Sequence, residues 1–255
     1  MDLYLVNNDL TGSLPSGLVD MTNLRRVFVS RNGFSGSLVI PSNAIEFQGT
    51  DNLFEGEITT DMVKDTLQIL ILSRNGFSGT TTTSWLNRGS LSLSHVELDN
   101  NLLSGTLSLS AMSSIEILDL SSNLLSGSLP LILPDTIQVL RLNDNAFGGM
   151  EWFQNYATVL EELDLSSNDL SGTIPSLNFP ALNIFRADNN RLKGVLPTDI
   201  STTVQILSIS NNQLTGPILN IMQTLSALTS LRLNNNALSG SISLSDHHVE
   251  IVLHH

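Results

Sequence analysis

Few residues in this chain are spaced to do covalent chemistry. His95, Glu97 and Asp99 stand at every second position, so one side of a strand would carry an imidazole between carboxylates, a set suited to acid–base work or to a metal. A solvated histidine accounts for the same residues more simply. Serines are abundant, and Gly33-Phe34-Ser35-Gly36 and Gly76-Phe77-Ser78-Gly79 superficially suggest a nucleophile elbow, but the G-x-S-x-G spacing fails in both. No phosphate-binding loop occurs. His247, His248, His254 and His255 could take a metal, yet they read better as a frayed end or a tag remnant. The expectation is a protein that is not an enzyme and needs no cofactor and no metal.

Recognition chemistry is better represented. Tyr4, Phe28 and Ile71, flanked by Arg26, Arg31 and Arg74, combine apolar groups with guanidinium forks, the residue types that anchor protein interfaces. The alternative for Tyr4 and Phe28 is packing under a further repeat or cap. Farther on, Glu97, Asp119, Arg141, Asp164, Arg186 and Arg232 form a charged series. It reads either as a self-neutralising surface or as a platform whose arginines receive acidic groups of a ligand. Net charge is −13 with two lysines, Lys64 and Lys193. This speaks against nucleic acid and against anionic membrane surfaces.

These residues are positioned by a repeat. In Ile115 to Leu129, Leu118 and Leu120 point to one side of a short strand and Asp119 to the other. Asn123 follows, then Leu125, Gly127 and Leu129 at every second place. The equivalents of Asn123 are Asn8, Asn32, Asn52, Asn75, Asn101, Asn145, Asn168, Asn190, Asn212 and Asn236, spaced by 20 to 26 residues. Each is followed by Leu or Phe after two residues and by Gly after four. The asparagine amide suits a buried ladder bonded to the turns of adjacent repeats. The glycine marks positive φ or close backbone approach. Counted from the anchors, the outward row is Tyr4, Phe28, Gln48, Ile71, Glu97, Asp119, Arg141, Asp164, Arg186, Ser208 and Arg232, with lateral pairs expected along Asp119–Arg141–Asp164–Arg186.

The whole of 1–255 therefore reads as a single solenoid of about eleven repeats with truncated repeats at both ends, hence as a fragment of a longer array. Apolar residues make up 41% and aromatics 5%, so a core of mainly Leu, Ile and Val is expected. Helical turns are expected at 60–66 and 220–227. At Thr81 and Glu151 the pattern lacks its usual Leu or Ile; there Trp85, and Trp152, Phe153 and Tyr156, are expected to fill the space. There is no cysteine, and no apolar run approaches the ~20 residues that cross a bilayer.

The pattern L-x-x-L-x-L-x-x-N-x-L with the added L-x-G-x-I/L-P, as in Leu163 to Pro175, resembles leucine-rich repeats of the plant-specific subclass. It is similar to the ectodomains of plant receptor-like kinases and receptor-like proteins, to polygalacturonase-inhibiting proteins and to leucine-rich surface antigens of some protists. The resemblance implies a right-handed curved superhelix with a parallel β-sheet on its concave face. Second short strands and short helical or 3-10 turns would lie on the convex side. It further implies a protein or peptide ligand on the concave face and an extracellular or cell-surface location. A structural or adhesive array without a dedicated ligand is the alternative. The cysteine pairs usual in the flanking caps of such ectodomains are missing here, as are Asn-x-Ser/Thr acceptor sites.

Overall fold

The computed structural model describes residues 1–80, 92–154, 157–218 and 225–240, and the backbone of 250–252. Trp85, Tyr156, Asn220, His247, His248, His254 and His255, and the excursion from Thr81, lie outside the described residues. The chain divides into two compact units, Met1–Ser126 and Gly127–His255. Both are stacks of coils, each coil contributing one three-residue strand to a principal parallel sheet.

In the first unit the strands Asp2–Tyr4, Arg26–Phe28, Glu46–Gln48, Ile69–Ile71, His95–Glu97 and Ile117–Asp119 pair in parallel in that order. In the second, Val139–Arg141, Glu162–Asp164, Ile184–Arg186, Ile206–Ser208, Ser230–Arg232 and Glu250–Val252 do the same. Short second strands follow the asparagines, such as Leu53–Glu57 and Arg191–Gly194. A 3-10 turn spans Ser16–Asp20. The helical turn expected at 60–66 is instead a pair of isolated turns, closed by Met62 N–H to the Thr59 carbonyl and Leu67 N–H to the Lys64 carbonyl.

The pleat sends alternate side chains to opposite faces. Val27, Leu70, Val96 and Leu118 at strand centres are fully buried, as are Leu140, Leu163, Phe185 and Leu207 in the second unit. The interior uses aromatics more than the composition suggests. Phe34, Phe54 and Phe77 stack in sequence with centroids 6.2 Å apart and interplanar angles of 9° and 20°. They occupy the place two after the anchor, where identical coils set identical rings over one another. Next to Glu151, which replaces the usual Leu, Trp152 is half-buried and its ring lies 6.5 Å from that of buried Phe185.

The asparagine columns are internal spines. Asn52 Nδ2 donates to the carbonyls of Val29 (3.0 Å), Gly49 (3.1 Å) and Thr50 (3.4 Å), and its Oδ1 accepts the Phe34 N–H at 3.0 Å. Asn190 repeats the arrangement with Leu165, Ala187 and Asp188, and accepts from Leu170. Asn8 departs from it: it is exposed, and its Nδ2 donates to the Leu5 and Val6 carbonyls of its own coil. The side-chain bonds between coils run toward the preceding coil, and Asn8 stands in the first coil described. The eleven glycines four places on all have positive φ, as the pattern requires. So do the eleven non-glycine residues just before the anchors, with φ of 52° to 59°, which the spacing does not reveal.

Candidate peptide-binding faces

The outward row begins with a ring pair. Tyr4 and Phe28 face each other across adjacent strands, centroids 4.7 Å apart and nearly parallel at 9°. Tyr4 is 66% exposed; Phe28 is half-buried. Arg26, beside them, lies 3.6 Å from Asp2 and 3.4 Å from Glu46. Gln48 donates to Glu46 at 2.8 Å. By register Gln48 separates Phe28 from Ile71, so Ile71 does not extend the ring pair. It shares its strand with Ile69 instead, and both are half-buried.

Arg31 and Arg74 both converge on Asp51 of the coil between them. Arg74 Nη2 donates to Asp51 Oδ2 at 3.0 Å and its Nε to Oδ1, while Arg31 Nε stands 3.9 Å away. The Arg74 hydrogen bond holds the Asp51 carboxyl below the usual carboxylate range. Both arginines occupy the left-handed region, φ 57° and 53°, where a long side chain is uncommon and costs about 1–2 kcal/mol.

His95 Nε2 and Glu97 Oε1 are 2.7 Å apart on one strand. Asp99 takes part elsewhere, accepting from Asn100 Nδ2 at 2.9 Å. The expected trio is therefore one contact and a separate carboxylate. Among the described residues no group of three or more His, Cys, Asp or Glu is placed to hold a metal ion. Asp119 is buried, because its short side chain folds back to accept the Ser121 N–H (3.0 Å) and Oγ–H (2.6 Å).

In the second unit the charges are arranged around a residue that the outward-row reading left out. Arg141 donates Nε to Glu162 Oε1 at 3.0 Å and Nη2 to Oε2 at 2.8 Å. Arg186 Nη1 reaches Glu162 at 3.3 Å and Asp164 at 3.8 Å. The expected Arg141–Asp164–Arg186 ladder thus runs mainly through Glu162, two places earlier on the same strand and on the same face. The period-2 rule that selected the outward row also exposes this second column, and applying it twice would have found Glu162.

Burial raises the Glu162 carboxyl, but the hydrogen bonds and charges of Arg141 and Arg186 bring it to a net value below the ordinary range. Asp164 goes the other way. Burial raises it, Asp188 adds to the rise, and the Ser166 hydrogen bonds and Arg186 offset only part. Ser208 is buried and donates to Asp188 at 2.8 Å. Arg232 is exposed at the end of the row.

The Leucine Rich Repeat family profile matches residues 114–135, 159–178 and 203–225. Protein Brassinosteroid Insensitive 1 of Arabidopsis thaliana is 32% identical over 125 residues, which is 46% of this chain and 10% of that protein. The chain spans a small part of such relatives. Among solved structures, the ectodomain of the plant membrane receptor kinase GASSHO1/SCHENGEN3 from Arabidopsis thaliana superposes with a TM-score of 0.81 at 30% identity, covering 93% of this chain and 30% of that one. It was solved in complex with Casparian strip integrity factor 2. The Arabidopsis receptor kinase HAESA, in complex with the peptide hormone IDA and the co-receptor SERK1, gives 0.63 at 25% identity over 94% of this chain and 50% of that one. No helix among the described residues is long and apolar enough to cross a membrane. With its stacked parallel coils and spine, the chain has the leucine-rich repeat fold and is similar to the ectodomains of plant receptor kinases.

Proposed function

We propose that this protein is a non-catalytic recognition module, receptor-like or inhibitor-like, that binds a peptide or protein segment on the outward face of its principal sheet. The Tyr4–Phe28 stack carries the reading, because Tyr4 presents 66% of its surface to solvent although strand positions facing water have no packing need for an aromatic ring. Arg26 on the Phe28 strand, and Arg31 and Arg74 in the turns farther along, offer donors for a ligand's acidic groups and carbonyls. In the second unit Arg186 and Arg232 provide further donors, and Arg141 does so when Glu162 releases it. The peptide hormone on HAESA supports a peptide as ligand class for this fold.

The test is selection of peptides from a displayed library on the intact chain, followed by calorimetric Kd values. Phe28→Ala is expected to weaken a selected peptide by roughly tenfold, the usual loss at an interface anchor. Arg141→Glu should weaken peptides carrying acidic residues. A repeat array serving as a spacer would yield no saturable peptide, and affinities untouched by both substitutions would remove this face from consideration.

A further inference from the structure

Two of the eleven spine asparagines are followed by glycine, Asn32-Gly33 and Asn75-Gly76, each inside a copy of Ser-Arg-Asn-Gly-Phe-Ser-Gly at 30–36 and 73–79. Elsewhere the next residue is Asp, Leu, Ala, Arg or Gln. An asparagine side chain and the next backbone nitrogen can close a five-membered imide. Glycine leaves that nitrogen unshielded and the backbone free to reach the geometry. The glycine nitrogen gives up its proton and attacks Asn Cγ; the N–Cγ bond forms as the side-chain nitrogen leaves as ammonia. Water then opens the imide at either carbonyl, leaving aspartate or isoaspartate.

We propose that Asn32-Gly33 and Asn75-Gly76 are sites of spontaneous deamidation that the spine keeps closed while their coils are folded. Both reacting groups are occupied in the native chain. Asn32 Nδ2 donates to the carbonyls of Leu5 (2.8 Å), Val29 (3.0 Å) and Ser30 (3.3 Å), and its Oδ1 accepts from Leu10 N–H at 3.1 Å. The Gly33 N–H donates to the Leu10 carbonyl at 2.7 Å. Asn75 is held in the same way by Gly49 (2.9 Å), Leu72 (3.0 Å) and Ser73 (3.2 Å), and accepts from Phe54 N–H at 3.1 Å. Gly76 lies in the second sheet opposite Glu55. Cyclisation requires the side chain to rotate out of these bonds and the glycine to leave its neighbour, which is a local opening of the coil.

The product cannot return to the spine. A carboxylate has no N–H to give and would face three carbonyl oxygens, and isoaspartate lengthens the backbone where the coil turns. Opening of these coils is thereby recorded irreversibly. Arg74 is bonded to Asp51 of the coil between the two motifs, and Arg31 approaches the same carboxylate at 3.9 Å.

The intact chain is incubated at mildly alkaline pH in buffer and in denaturant, with ammonia release and peptide mapping by mass spectrometry. In denaturant, Asn32 and Asn75 convert before the other nine anchors. In buffer the same sites convert slower by roughly tenfold or more, since only the opened fraction reacts. After dilution from denaturant, chains converted at either site stay unfolded. Gly33→Ala with Gly76→Ala suppresses conversion in denaturant, a measurement that does not depend on the variant folding; Leu53 and Ala146 hold the equivalent place in other coils. Equal rates in buffer and denaturant, or another anchor converting first in denaturant, would overturn the proposal.

Discussion

Arg141 and Glu162 meet fork to fork, with N–O distances of 3.0 and 2.8 Å, and the same carboxylate also receives Arg186 at 3.3 Å. Glu162 keeps only 15% of its side chain exposed, against 36% for Arg141. A double-mutant cycle on Arg141→Ala and Glu162→Ala should return a coupling of about 1 kcal/mol, at the upper end for a partly exposed pair because the geometry is bidentate. Urea unfolding of the four chains measures it. Additive single effects would mean that the two side chains act independently.

The neighbouring carboxyls should shift in opposite directions from their free values. Glu162 lies below its usual value and Asp164 above its own. Carbon-detected NMR of the side-chain carboxyls checks this. The stability that Glu162 contributes is present above its unfolded pKa and is lost as pH falls through its folded value. The contribution of Asp164 has the opposite sign: it is present in acid, below the unfolded pKa, and is lost as pH rises through the raised folded value.

Spine substitutions should differ sharply along one column. Asn52→Ala leaves the buried Phe34 N–H without its partner, at about 1–3 kcal/mol, and takes one of two donors from the Val29 and Gly49 carbonyls, which keep Asn32 and Asn75. Asn8→Ala removes bonds at an exposed site and should stay within about 0.5 kcal/mol. Comparable losses at both places would show that the spine is not the source of the cost.

Arg31→Asn should separate stability from binding. Asparagine tolerates φ of 57° better than arginine, and the contact given up is a 3.9 Å approach to Asp51 on the surface. Stability is expected to rise by up to about 1 kcal/mol. Affinity for a selected peptide is expected to fall if Arg31 serves the ligand face. Thermal unfolding and calorimetry on the same preparation read the two quantities.

The repeat determined much of this protein by itself, because strand pleat and coil spacing are local and periodic. The inward leucines, the outward row from Tyr4 to Arg232, the amide spine and the glycine column can all be read by counting from one asparagine. What counting does not reach is the choice among neighbours once coils are stacked. Arg141 could extend toward either outward column of the next strand, and its length and fork geometry favour Glu162 over Asp164. Arg31 and Arg74 share one carboxylate because the turn before each anchor is left-handed, a backbone feature that carries no glycine to announce it. Asp119 and Ser208 lie down on adjacent polar groups and are buried, although their positions in the pattern face outward. Periodicity sets which side of the sheet a residue occupies; packing between coils decides which surface it offers and to what.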